Sequence, residues 1–182
     1  MRKKLEEMPL YRKAEEIRQT VRTISDLIPE ENNYLQETKM HMLENTLVMQ
    51  AKIAGAYSVN LWDLKMENAA IIRKCARELL VSYHSLTAFG FDEADYYLIV
   101  RKQLEEFRLL FREWVASFDP KKFIVDEWGL FNPPGIPQDY VQSDAELDFL
   151  DEDDDGLDFG FDPGDFEGYD SCNDNFEDED GD

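Results

Sequence analysis

Apolar residues recur along the first two-thirds of the chain at steps of three and four, the repeat of an α-helix buried on one side. Leu10, Ala14, Ile17, Val21, Ile24 and Ile28 form the first such stripe. Pro9 opens this helix, because its missing N–H falls among first-turn donors that lack a helical partner anyway, and Pro29 closes it. Arg12 with Glu16, and Arg22 with Asp26, are spaced for i,i+4 pairs on the outer face. A second helix is predicted from about Asn33 to Ser58, with Leu35, Met42, Met49, Ile53 and Ala56 on one line and Met40, Leu43, Leu47, Ala51 and Ala54 beside it. A single antiparallel neighbour cannot cover so broad an apolar face. This helix is therefore expected to sit centrally or to meet a second copy, with Met42, Met49, Ile53 and Gly55 on that core or oligomer face. Gly55, between Ala54 and Ala56, allows a close backbone approach or a kink.

Asn60 is the expected N-cap of a third helix with the stripe Leu61, Leu64, Ile72, Cys75, Leu79, Tyr83 and Leu86, and Gly90 suits its C′ position. Asn68 falls at a core-facing step, where a buried amide needs partners and can fix register. The fourth helix is expected to start near Asp92, with Asp92 and Asp95 at the positive end of its dipole. Its stripe is Tyr97, Val100, Leu104, Phe107, Phe111, Trp114 and Phe118. The connections near 29–32, 59–60 and 89–91 are short enough to make sequential neighbours antiparallel. The expected fold is all-α, an antiparallel up-down-up-down four-helix bundle over residues 1–119. An apolar, Pro- and Gly-rich segment at 120–142 is expected to dock along it, and residues 143–182 to form an acidic-aromatic, largely disordered tail.

Charge sharpens that division. Residues 1–122 hold all 19 Lys and Arg and 19 of the 41 Asp and Glu, so the net charge of -22 belongs to 123–182. That stretch interleaves its acids with aromatic residues from Phe123 to Phe176, which makes it adhesive as well as anionic. Residues 1–4 are basic, but Glu6, Glu7, Arg12 and Lys13 interrupt the apolar stretch a secretory signal needs. Nothing approaches the roughly 18 apolar residues of a membrane span. Cys75 and Cys172 form no metal or redox spacing and suit a reducing cytosol, so no membrane contact and a cytoplasmic location are expected.

Over about residues 9–119 the pattern resembles the four-helix bundle proteins of ribosomal RNA intervening sequences and the related accessory variability determinant proteins of diversity-generating retroelements. The likeness rests on helix lengths, on Ile28-Pro29 closing the first helix, and on Lys52-Ile53-Ala54-Gly55-Ala56 before the second turn. Members of the first group commonly carry Asn-Ile-Ala-Glu-Gly there; this chain has Lys52 for the asparagine and lacks the glutamate. The resemblance implies a ring-shaped homo-oligomer, usually a pentamer, without enzymatic activity. In the retroelement branch it implies binding of RNA and a reverse transcriptase through basic surface residues.

Candidate chemistry is sparse. Nucleic acid is bound mainly by Lys and Arg neutralising phosphates. The best cluster for that role is Arg73, Lys74 and Arg77 on the third helix, joined by Lys65 earlier on it; Arg101, Arg108 and Arg112 form a second, interrupted by Glu105. The plainer reading of both is a solvated face of salt bridges. His41 and Glu44 stand in reverse order for a Glu-x-x-His metal pair and His84 lacks a Glu three residues before it, so no metal, cofactor or catalytic residue is expected. Asp151, Asp153, Asp155 and Gly156 match the opening of a calcium loop, but Asp158, Asp162 and Pro163-Gly164 break its later positions, and the stretch reads as a solvated acidic run. The expected function is a non-enzymatic oligomeric accessory or adaptor that binds RNA or an RNA-bound reverse transcriptase, the acidic tail modulating that binding. The alternative is an interaction scaffold whose tail binds a basic protein partner or mimics nucleic acid.

Overall fold

The computed structural model describes residues 2–137 and 139–152. The calcium-loop pattern beyond its first two positions, Cys172 and the expected disorder of the tail past residue 152 lie outside the described residues. Those described contain no strand. They form α1 (Arg2–Glu6), α2 (Pro9–Ser25), α3 (Asn33–Ser58), α4 (Trp62–Ala88), a 3₁₀ turn (Ala94–Tyr96) leading into α5 (Tyr97–Ala116), and two single turns, α6 (Asp144–Leu147) and α7 (Phe149–Glu152). Residues 1–147 make one compact unit, and the described residues 148–152, with α7, lie outside it.

α2 begins at Pro9 but ends at Ser25, before Ile28. The amides of Leu27 and Ile28 donate to Ile24 O and Ser25 O in a tightening turn, which keeps Ile28 buried without extending the helix. α3 is capped by Asn32, whose side-chain oxygen accepts from the amides of Tyr34 and Leu35 at 3.1 and 3.2 Å, while its Nδ2 donates to Phe89 O at 3.0 Å. One side chain thus ties the start of α3 to the end of α4, and Tyr34 stacks on Phe89 beside it. At the start of α4 the cap position falls to Leu61 rather than Asn60, and the Trp62 amide donates to Lys122 O at 2.6 Å. A carbonyl from far along the chain satisfies a first-turn donor.

α4 ends at Gly90 (φ 78°), where Phe91 N–H donates to Leu86 O and Gly90 N–H to Thr87 O. This is a Schellman closure, with Leu86 and Phe91 both buried beneath it. An added Cβ on Gly90 would touch nothing, so Gly90→Ala is expected to destabilise through the left-handed backbone alone, by about 1 kcal/mol. Gly55 lies inside α3, where an added Cβ would sit 3.6 Å from Asn68 Oδ1 in ordinary contact. Gly55→Ala is expected to stabilise by about 0.5–1 kcal/mol. Urea melts of the two variants should therefore move in opposite directions.

α3 packs against α2 and α4, and α5 against α2 and α4, so each long helix touches two others. Ile17, Val21, Leu35, Met42, Ile53, Ile72, Leu79, Leu86, Tyr97 and Val100 are fully buried among them. Met42, Met49 and Ile53 therefore face the chain's own interior rather than an oligomer surface, and Gly55 abuts α4. The apolar surface α3 leaves in solvent is the adjacent line, with Met40 70 % and Leu47 54 % exposed and Ala51 exposed below them. Asn68 is half-buried, and its amide donates to Leu64 O within α4 rather than across helices.

Polar ties join α2 to α5. Lys13 reaches both Glu16 and Glu106, and Gln103 Nε2 donates to Glu16 Oε1 and Thr20 Oγ1, both at 3.0 Å. Glu16 takes Lys13 as its partner, not Arg12, and that ammonium holds its carboxyl below the usual range. Deeper in, the Tyr97 hydroxyl donates to Leu79 O at 3.0 Å, and burial pushes its phenol well up, partly offset by the Ser82 hydroxyl. An unfolded chain loses that proton once pH rises past about 10, while the folded chain holds it. Stability therefore falls from there upward. Tyr97→Phe is expected to flatten this alkaline loss in urea melts and to cost about 1 kcal/mol at neutral pH; an unaltered alkaline slope would exclude Tyr97 as its source.

The 120–142 segment is held at its root and open at its tip. Phe118 and Phe123 are buried, with Phe118 edge-on to both Trp62 and Trp114. Gln142 clamps the root by accepting from Val125 N–H and donating to Phe123 O. Between these points Asp126 accepts from the amides of Trp128, Leu130 and Phe131, which depresses its pKa and folds 126–131 around one carboxylate. Trp128 is 89 % and Leu130 74 % exposed at this turn, while Phe123 and Pro133 on either side of it are buried. The backbone amides of the turn find their acceptor in Asp126.

Candidate functional site

The outer side of α4 carries the cations singled out from the sequence. Arg73, Lys74 and Arg77 are all exposed, one turn apart. They form one wall of a groove of about 660 Å³ between α3 and α4, whose other lining includes Thr38, His41 and Asn45 from α3 and Glu78, Ser82 and Ser85 from α4. Thr38 and Ser82 donate to carbonyls of their own helices, at Tyr34 and Glu78. The His41 ring, the Asn45 amide and the Ser85 hydroxyl are its further hydrogen-bonding groups. Lys74 lies 3.7 Å from Glu78, whereas among the described residues Arg73 and Arg77 have no carboxylate within salt-bridge distance.

A second groove, of about 340 Å³, runs along the other flank of α4 against α5. Ala76, Leu80, Leu104, Phe107 and Phe111 line it with apolar surface, and Arg73, Arg77, Arg108, Arg112 and Glu105 add their charges. Arg108 is held by Glu105 at 2.9 Å. Phe107 and Phe111 stack at 6.0 Å. Arg73 and Arg77 therefore border both grooves, as a cationic ridge between a trough of mixed lining and a more apolar one.

The structure thus joins two clusters that lie far apart in sequence, and it removes one member from each. Lys65 stands over the Phe118 ring at 5.6 Å and is absent from both groove linings. Arg101 stands over Tyr83 at 5.5 Å and is likewise diverted. Both are cation–π placements. His41, weighed in the sequence only as a metal ligand, and Asn45 reach this groove through the packing of α3 on α4, and Ser85 lies about three turns beyond Arg73 on α4 itself.

Among the described residues no group of three or more His, Cys, Asp or Glu is placed to hold a metal ion. His41 lies 3.8 Å from Glu37 on an exposed face. Cys75 is buried, and burial, reinforced by the Glu78 carboxylate, pushes its thiol up and away from nucleophilic reactivity. No described helix is long and apolar enough to cross a membrane. No protein-family model, curated protein or solved structure matches the chain.

Proposed function

We propose that this chain is a non-enzymatic accessory protein that binds single-stranded RNA, alone or held by a partner enzyme such as a reverse transcriptase, along the α4 ridge. The observation that carries the reading is the α3/α4 groove, in which Arg73, Lys74 and Arg77 line one side together with hydroxyl, amide and imidazole groups and a single carboxylate, Glu78, which lies nearest Lys74. Phosphate oxygens are contacted by that mixture of guanidinium, ammonium, hydroxyl and amide groups. Arg73 and Arg77 have no described carboxylate to give up, so a phosphate gains their charge without breaking an ion pair. The resemblance of residues 9–119 to intervening-sequence bundle proteins and their retroelement relatives, of which the retroelement branch implies RNA binding, favours the same reading.

The long helices α2, α3, α4 and α5 run up-down-up-down in this proposal. Their connections are a few residues long, and each packs on its neighbours around a closed circuit. The Met40, Leu47 and Ala51 line is covered by a second copy, which places self-association on the solvent side of α3. Fluorescence anisotropy of a labelled single strand of about 20 nucleotides, followed through rising salt, tests the RNA reading. Log affinity should fall linearly with log salt at about 0.7 per phosphate neutralised. No binding even near 50 mM salt would overturn it.

A further inference from the structure

The α4/α5 groove has a different chemistry from the ridge beside it. Its floor is apolar, and Phe107 is only 2 % exposed, so that ring offers no open face for a base to stack upon. Leu80, Ala76 and Phe111 are half-buried around it and leave room for a side chain to enter. The rim is arginine throughout its cationic part, and with Arg108 engaged by Glu105, Arg73, Arg77 and Arg112 are the three whose charge is uncompensated among the described residues. Guanidinium forks pair two-pronged with carboxylates, and an apolar hollow between them takes an aromatic or aliphatic anchor.

We infer that this groove is a docking site for an acidic peptide segment carrying an aromatic anchor. The anchor enters over Leu80 and Phe111, and flanking carboxylates meet Arg73, Arg77 and Arg112. Neither element suffices alone: an apolar peptide would leave three guanidinium groups uncompensated, and a polyanion without an anchor would leave the floor wet. Because Arg73 and Arg77 also border the α3/α4 groove, an occupied apolar groove withdraws two cations from RNA. The two ligands are therefore antagonists at one ridge, although peptide docking stands without the RNA reading.

Residues 157–169 of this chain supply a probe with the required chemistry: Phe159, Phe161, Phe166 and Tyr169 among Asp158, Asp162, Asp165 and Glu167. A fluorescent peptide of that sequence is titrated with the full chain. It is also titrated with a full-length variant in which those four aromatics are serine, so that the chain's own copy cannot mask the result. Saturable binding to either protein is expected. A peptide with its aromatics replaced by serine should bind at least about tenfold more weakly, the loss of one buried aromatic anchor. A peptide with its acids amidated should lose the salt dependence. Ala76→Glu, which sets a carboxylate at the groove floor, should weaken the natural peptide by a similar factor while the helical circular dichroism is unchanged. Single-stranded RNA should displace the peptide. Equal binding of the natural and serine peptides, no binding to either protein, or RNA binding that Ala76→Glu abolishes while the peptide never binds would each overturn the inference. Loss of RNA binding with retention of peptide binding would instead sink only the function proposed above.

Discussion

Arg73→Glu combined with Arg77→Glu is expected to lower affinity for single-stranded RNA by about a hundredfold or more near 50 mM salt. It should also reduce the slope of log affinity against log salt by about 0.7 for each phosphate no longer neutralised. Both side chains are exposed, and neither has an ion pair to lose among the described residues, so the fold should be nearly indifferent, within about 0.5 kcal/mol. The comparison that gives the result meaning is Arg12→Glu with Arg22→Glu, two exposed positions on α2. That pair makes the same change in net charge away from the ridge. If affinity responded to overall charge, the two double variants would weaken RNA equally. The proposal requires the α4 pair to be far worse.

Leu79→Ala is expected to cost about 2–5 kcal/mol, a large share of the stability of an ordinary domain. Leu79 is fully buried on α4 and lies where the Tyr97 hydroxyl also lands, so the cavity opens among helices that cannot collapse into it cheaply. Leu47→Ala removes the same number of carbon atoms from a position that is 54 % exposed and should change the stability of a lone chain by no more than about 0.5 kcal/mol. Self-association through α3 adds a second signature. Melting temperature should then rise with protein concentration in the natural chain, and Leu47→Asp should remove that rise. Equal destabilisation by Leu79→Ala and Leu47→Ala at high dilution would contradict the burial pattern itself.

Helical periodicity made most of the fold legible. α3 runs from Asn33 to Ser58 as its stripe predicts, because an unbroken apolar line between turn-forming ends leaves little other choice. Ends that depend on distant partners were not legible. Asn60 looked like a cap, but the donors it would have served are met partly by Lys122 O, reached across the fold. Ile28 looked helical because it is buried, yet a turn after Ser25 buries it equally well. The broad face of α3 was readable as apolar, but which of its two lines would be buried depended on where α2 and α4 sit. That choice fell to Met42, Met49 and Ile53 and left Met40 and Leu47 outside.

The site was half legible. Arg73, Lys74 and Arg77 stand out because they are one turn apart on one helix. Their junction with Arg108 and Arg112 depends on the register between α4 and α5, which no spacing within either helix reveals. The removal of Lys65 and Arg101 depends on aromatic rings arriving from elsewhere, Phe118 and Tyr83. A cationic cluster in sequence is an upper bound on the cations a ligand can use, and packing decides which remain.

Amide hydrogen exchange of the full chain with and without single-stranded RNA, at about 50 mM salt where phosphate binding is strongest, tests the α4 ridge most directly. Slowed exchange should concentrate in α4 around Arg73 to Ser85 and in the facing part of α3 around Thr38 to Asn45, with α2 unaffected. Protection centred on α2, or exchange identical with and without RNA, would contradict the account.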